Sequence, residues 1–128
     1  MPSRSLTLEI LPGTFAVCRL PGTADAPEWA SGRFVSITRT DAELSVVCAE
    51  GAVPPQVRAE GGWRCLGVRG PLGFGLTGVL ASLASPLAGS GVSIFVISTY
   101  DTDYLMVQGR DLDRARDALE RAGHTFAE

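Results

Sequence analysis

The fold is indicated first by two stretches of sequence, Ile94–Val107 (IFVISTYDTDYLMV) and Phe34–Val47 (FVSITRTDAELSVV). They align without a gap at an offset of 60 residues, with Ile37 opposite Ile97. In both, apolar and β-branched residues flank a polar centre that contains Asp and Thr, which is typical of two strands joined by a short turn. The repeat therefore predicts two related units of about 60 residues. The hairpins are predicted near residues 34–48 and 92–108.

The second half of the chain predicts a complete unit in the order βαββαβ. Trp63–Arg69 alternates like a strand, and a glycine-rich loop leads from it into apolar residues at helical spacing. The first helix is predicted at residues 76–88 and the second at 111–122, with Asp111 as the N-cap and Gly123 just beyond the end. This order is a ferredoxin-like split unit of the α+β class.

The first half predicts a degenerate copy of the same unit. A strand is expected at Leu6–Leu11, whereas Thr14–Leu20 fits either a strand or a helix, with the strand favoured. The remaining segments leave room for no more than a short helical turn. We therefore expect two domains, a degenerate unit over residues 1–62 and a complete unit over residues 63–128.

The composition is that of an ordinary globular protein, and the charge excludes one class of partner. The 128 residues are 45% hydrophobic and 20% charged, so the chain can bury a core without disulfides or a metal. The 11 basic residues are all arginines scattered along the chain, and 14 acidic residues outnumber them. Nucleic-acid binding relies on a basic patch, so we expect no nucleic-acid partner.

The cysteines predict a reduced, cytoplasmic protein without a metal site, and a long uncharged stretch is not predicted to span a membrane. Cys18, Cys48 and Cys65 lie in apolar runs without C-x-x-C spacing, so each is predicted to be a small buried hydrophobe. Residues 70–100 carry no charge, but they include six glycines and two prolines, and their pattern changes midway from helical to strand-like. A membrane span stays helical throughout, so we expect no membrane segment.

No constellation in the sequence indicates catalysis or a bound cofactor. Gly73–Gly78 matches G-x-G-x-x-G between a strand and a helix, but the following strand turns back at Asp101 instead of entering a second crossover helix. A dinucleotide site is therefore rejected, and what remains is a helix N-terminus, whose N–H groups attract an anion. The single histidine, His124, is predicted to be an exposed cap of the last helix. We expect no catalytic residues, no metal and no cofactor.

Four short motifs carry a resemblance to a known family. They are Gly70–Phe74, Pro86–Ala88, Gly91–Ile94 and, above all, Ile97–Tyr104. Through them the chain resembles the ACT domain, a regulatory amino-acid-binding module, over most of residues 6–120. Within that family it is most similar to small tandem-ACT proteins and to the cytosolic arginine sensors. The resemblance implies tandem ferredoxin-like ACT units, the first one degenerate, in a non-catalytic regulatory protein.

The resemblance also implies an amino-acid site at an interface of ACT units. An α-carboxylate would lie against the backbone N–H groups of residues 73–77, and Asp103 would pair with an ammonium or a cationic side chain. Gly75 and Leu76 stand where the arginine sensors have acidic residues, so a less cationic amino acid is implied as readily as arginine. The implied ligand-binding residues are Leu72, Gly73, Phe74, Gly75, Leu76, Thr77 and Leu80 in the loop and helix, and Ile97, Ser98, Thr99, Tyr100 and Asp103 on the hairpin.

Two interpretations of the function stay open at this point. In the first, the protein binds a small ligand, an amino acid, and regulates a protein partner. In the second, its units only dimerise or dock on a partner, without a small-molecule ligand. An amino acid in the groove between Gly73 and Asp103 favours the first, whereas a groove filled by Phe74 or Leu76 favours the second. In both, the exposed edge strands of small sheets predict a homodimer.

Overall fold

The computed structural model describes residues 5–70 and 77–127 of the chain. Residues 13–63 form one compact unit, the first unit, and the residues before and after them form the second unit. Two short 3₁₀ turns, Glu50–Ala52 and Gly109–Asp111, accompany the regular elements. The strands and helices are β1 (Thr7–Ile10), β2 (Phe15–Pro21), β3 (Ser36–Arg39), β4 (Glu43–Ala49), β5 (Ala59–Val68), α1 (Val79–Gly89), β6 (Ile94–Ser98), β7 (Asp103–Gln108), α2 (Leu112–Arg121) and β8 (Thr125–Phe126).

The second unit has the predicted ferredoxin-like order of elements. From residues 64–68 of β5 the chain passes through α1, β6, β7, α2 and β8, so both predicted helices are present. β6 pairs antiparallel with β7, and β7 pairs with β5. The helices and the sheet enclose one core, in which Leu66, Leu83, Leu105 and Leu119 are fully buried. The apolar positions that predicted these elements are therefore the ones that hold the unit together.

β1 belongs to the second unit, whereas the sequence pattern assigns residues 1–62, and with them this strand, to the degenerate first unit. It pairs antiparallel with β5 and parallel with β8, so it separates two strands of the βαββαβ unit. Leu6 and Leu8 are buried in the core that α1 and α2 cover. Alternating apolar residues predict a strand but do not specify the sheet that it joins. The division between the units falls after Trp63.

The first unit is degenerate, as the sequence predicts. It contains β2, β3, β4 and the first residues of β5, and no α-helix occurs within residues 13–63. The segment that fits strand or helix forms the strand β2, paired with β4 over seven residues. Irregular segments cover the sheet where helices would lie. The core comprises Ala16, Cys18, Leu44, Val46 and Cys48, packed against Leu20, Ala24, Trp29, Ala30, Val53 and Val57.

Both predicted hairpins are present, but the offset of 60 between them is wrong by one residue. Each turn begins with a threonine whose N–H donates to the carbonyl three residues later: Thr40 to Glu43 and Thr99 to Thr102, both at 2.8 Å. The two turns therefore correspond at an offset of 59. The alignment matched side-chain types, whereas the register of a hairpin is fixed by its turn.

The prediction that His124 is an exposed cap is wrong. Its side chain is 2% exposed, and its Nδ1 accepts the backbone N–H of Leu6 at 3.1 Å. Nε2 therefore carries the proton and donates to the Ser82 carbonyl at 3.0 Å. In an uninterrupted helix that carbonyl would accept the N–H of residue 86, but Pro86 has none. His124 thus supplies the donor that the proline removes, and it links Leu6, the residue before β1, to α1.

Candidate functional site

Two of the implied ligand-binding residues meet at the turn of the second hairpin. Ser98, the last residue of β6, stands opposite Asp103, the first residue of β7. The Ser98 hydroxyl donates to Asp103 Oδ1 at 2.6 Å. A short bond to a carboxylate fixes the orientation of that carboxylate. The turn therefore holds a half-buried carboxylate in a defined position.

Asp103 lies on the face of the sheet that the helices cover. Side chains alternate along a strand, and Leu105 and Val107, two and four residues further on, are fully buried in the core with the helices. Val79, the first residue of α1, belongs to that core as well. The carboxylate therefore stands at the turn end of the face on which α1 packs.

Thr102 anchors the turn, although no local pattern in the sequence singles it out. Its hydroxyl donates to the carbonyl of Val68, the last residue of β5, at 2.6 Å, and the residue is buried. Within the turn, the Thr99 hydroxyl donates to the Thr102 carbonyl at 3.1 Å. A threonine between two aspartates looks like ordinary turn chemistry. Its bond to a strand that is distant in sequence has no local signal.

The structure separates one implied residue from the others. Ile97 pairs with Tyr104, one position from the Ser98–Asp103 pair, so both side chains point to the opposite face of the sheet. Tyr100 lies in the turn itself and is 81% exposed. Of the implied hairpin residues, Ser98, Thr99 and Asp103 surround the turn, whereas Ile97 does not share their face.

On the helix side, the structure describes only part of the implied set. Leu72, Gly73, Phe74, Gly75 and Leu76 lie outside the described residues. Thr77 is exposed, and Leu80 in the first turn of α1 is 42% exposed.

Gly78 is the N-cap of α1, with a positive φ of 78° that favours glycine. Among residues 5–70 and 77–127, no side chain caps this start of the helix. The first N–H groups of a helix have no partner within it, and the helix dipole adds partial positive charge at this end. The start of α1 is therefore electrostatically suited to a carboxylate.

The thiols of the chain are unsuited to nucleophilic chemistry. The prediction that all three cysteines are buried is confirmed. Burial raises the pKa of Cys18 to about 11 and that of Cys65 to about 12, and it also raises the pKa of Cys48. A thiol needs its thiolate form to react, so these groups are inert at neutral pH.

Residues 5–70 and 77–127 contain neither a cluster of metal ligands nor a helix that could span a membrane. In this part of the chain no three His, Cys, Asp or Glu side chains lie close enough to hold a metal ion. None of the helices in it is long and apolar enough to cross a membrane.

Two protein-family models together match most of the chain. A family model for the ACT domain matches residues 58–121, which is half of the chain. A second model, for an N-terminal domain, matches residues 13–56. The boundary between the two matches lies near the division between the structural units.

Among curated proteins, the chain is similar to the cattle protein "Cytosolic arginine sensor for mTORC1 subunit 1". The two are 32% identical over 114 residues, which is 80% of this chain and 34% of the cattle protein. The chain therefore spans about a third of the length of this relative.

Among solved structures, the chain is similar to the crystal structure of the Agobacterium tumefaciens protein Atu0741. The TM-score is 0.93 at 44% identity, with 98% of this chain and 94% of that chain covered. An aspartate kinase from Clostridium acetobutylicum has a TM-score of 0.69 at 10% identity, with 96% of this chain and 36% of that chain covered. At that identity the kinase shows a shared fold alone.

Proposed function

This chain belongs to the ACT domain family, and we propose that it is a non-catalytic regulatory protein that binds an amino acid. The observation that carries the proposal is the Ser98–Asp103 pair, which holds a carboxylate at the turn end of the face on which α1 packs. Anionic and partly positive groups at the two sides of one site fit the two charges of an amino acid. The similarity to a protein named as an arginine sensor supports the same class of ligand.

In the proposed complex, each charged group of the ligand has its own partner. The α-carboxylate lies against backbone N–H groups of residues 73–77, before α1. The α-ammonium or a cationic side chain pairs with Asp103, while Ser98 keeps that carboxylate in place. Gly75 and Leu76 bring no negative charge to the loop, so the ligand is proposed to be an amino acid less cationic than arginine as readily as arginine itself.

The absence of catalysis is part of the proposal, and two features support it. Both ring nitrogens of His124 are engaged in bonds to backbone groups, so this imidazole is not available as a general base. The three cysteines are buried and their pKa values are raised. We further propose a cytoplasmic protein that forms a homodimer and regulates a protein partner.

One observation favours the alternative, an interaction module without a small ligand. Leu80 and Tyr100, two large residues of the candidate site, are exposed and present apolar surface that a protein partner could cover.

A thermal-shift screen against the twenty amino acids separates the two functions. A ligand that binds only the folded state stabilises that state by mass action and so raises Tm. At a concentration one hundred times Kd, the free energy of unfolding rises by about 2.7 kcal/mol. One amino acid, or a small chemically related group, is expected to raise Tm at millimolar concentration. If all twenty leave Tm unchanged, amino-acid binding is refuted and the interaction module is favoured.

A further inference from the structure

β3 is an edge strand that presents exposed apolar side chains. Among the described residues it pairs with β4 alone, and its other edge carries no strand. Ile37 is 43% exposed, and Val35, immediately before the strand, is 39% exposed. The other exposed large hydrophobic residues of the described chain, Leu80 and Tyr100, belong to the candidate ligand site. The β3 edge therefore has an exposed apolar surface without an assigned function.

These side chains continue a face that is buried elsewhere in the first unit. Ile37 stands opposite Val46 and so lies on the same face, where Leu44, Val46 and Cys48 are wholly buried beneath irregular segments. The cover over this face ends at β4. A β-branched residue at such a margin is stabilised when a further strand carries more apolar surface alongside it.

The backbone groups of β3 are directed so that this further strand can pair. The N–H of Thr40 donates to the Glu43 carbonyl, which makes this pair a hydrogen-bonded one. Hydrogen-bonded and non-hydrogen-bonded pairs alternate along an antiparallel ladder, so residues 36, 38 and 40 bond to β4. Residues 35, 37 and 39 therefore direct their N–H and C=O groups to the open edge.

Nothing on the strand blocks this edge. Edge strands are commonly protected by a proline, a bulge or an outward charge. Residues 36–39 contain no proline, and their pairing with β4 is regular. Arg39 is the only charged residue among them, and an N–H of its guanidinium donates a hydrogen bond to the Gly22 carbonyl of the same chain. The Arg39 charge is therefore directed towards the first unit and not towards the open edge.

We propose that β3 pairs antiparallel with β3 of a second copy, about a twofold axis that passes midway between the two copies of Ile37. This register places Ile37 opposite the partner's Ile37 and Val35 opposite the partner's Arg39. All three outward-facing residues then bond to outward-facing residues of the other copy, with two hydrogen bonds in each pair. The same register brings exposed Arg33 towards the partner's Asp41, so opposite charges meet at both ends.

A strand that complements itself in charge and in hydrogen-bond direction fits a second copy better than an unrelated protein. The inference rests on the proposed homodimer and names its surface. It does not depend on the proposed ligand site, which lies in the second unit.

Cross-linking tests the register directly. In Ile37→Cys, the two new thiols of a dimer would stand in a hydrogen-bonded pair, where the Cα atoms are about 5.5 Å apart, a distance that suits a disulfide. The natural cysteines are all buried. Diamide, which takes up the two electrons and two protons lost by the thiols, is expected to convert most of this variant to a covalent dimer. Thr38→Cys is the control, because the register sets the two copies of residue 38 too far apart to bridge.

Light scattering at tens of micromolar tests whether this edge holds the dimer. The wild type is expected to have the mass of a dimer, Ile37→Glu that of a monomer because two carboxylates would face each other, and the exposed control Thr38→Glu that of a dimer. A dimeric Ile37→Glu, or equal cross-linking of both cysteine variants, overturns the β3 interface but leaves a homodimer. A monomeric wild type overturns both the β3 interface and the homodimer, and it favours pairing of this edge with a strand of another protein. The amino-acid thermal shift of each variant reports on the ligand site separately.

Discussion

Replacement of His124 by phenylalanine is expected to destabilise the second unit strongly, although the residue lies outside the candidate site. Phenylalanine fills a similar volume but has neither an acceptor nor a donor. The substitution leaves the N–H of Leu6 and the carbonyl of Ser82 without their present partners. The first of these bonds is buried and the second is part-buried, so water cannot fully replace the lost contacts.

The expected cost follows from these two groups. A buried backbone group left without a partner costs about 1–3 kcal/mol, and a part-buried one falls near the lower end of that range. The sum is about 2–4 kcal/mol, which corresponds to a lowering of Tm by about 10 °C for a chain of this size. His124→Asn is expected to cost less, because its Oδ1 can take the place of Nδ1 and accept the Leu6 N–H.

Pro86 provides a stricter test of the same reasoning. Pro86→Ala restores an N–H that can donate to the Ser82 carbonyl within α1. In that background, His124→Phe orphans only the Leu6 N–H, so its cost is expected to fall by about 1 kcal/mol. Urea unfolding of the wild type, the two single variants and the double variant measures this coupling. A cost below about 1 kcal/mol for His124→Phe, or a cost that is the same in both backgrounds, would refute the assigned role.

Two further predictions concern the packing of the first unit and the alkaline behaviour of the protein. Gly22→Ala places a Cβ 2.7 Å from the Asp41 carbonyl oxygen and is expected to destabilise the protein by about 1–3 kcal/mol. Gly51→Ala is the control, because its Cβ meets nothing within 4 Å. Equal unfolding free energies for the two variants would contradict this prediction. Burial raises the pKa of Cys65 from 9.0 to about 12, so above pH 9 the unfolded chain loses this proton before the folded one. The unfolding free energy should then fall by up to about 1.4 kcal/mol per pH unit between these values, and Cys65→Ala should remove that share of the slope in denaturant unfolding at pH 9–11.

The parts of the fold that the sequence predicts are those with a local pattern. Both hairpins, α1 and α2 follow from apolar spacing and turn residues within a few residues of one another. The membership of β1 and the role of His124 depend instead on partners more than fifty residues away, such as Gly67 opposite Glu9 in β1 and Leu6 beside His124. No periodicity in the sequence identifies such partners.

The candidate site, too, could be predicted only where a local motif marks its residues. Ser98 and Asp103 were identified through a motif, and their pairing in the structure gives the motif a geometry. Ile97 belongs to the same motif but points to the opposite face, because a motif does not distinguish neighbouring residues that a strand directs apart. Thr102 has no such motif, because its bond to Val68 joins the end of β5 to a turn that follows α1 and β6.

Titration calorimetry on two aspartate variants tests the central claim most directly. Asp103→Ala removes the carboxylate that Ser98 orients, whereas Asp101→Ala removes an exposed carboxylate from the same turn. The ligand is the amino acid that gives the largest thermal shift with the wild type. A charge-assisted hydrogen bond contributes about 1.5–3 kcal/mol, so Asp103→Ala should weaken binding roughly ten- to a hundredfold, and Asp101→Ala should leave Kd nearly unchanged. Unaltered affinity in a folded Asp103→Ala variant, or an equal loss in both variants, would contradict the proposed site.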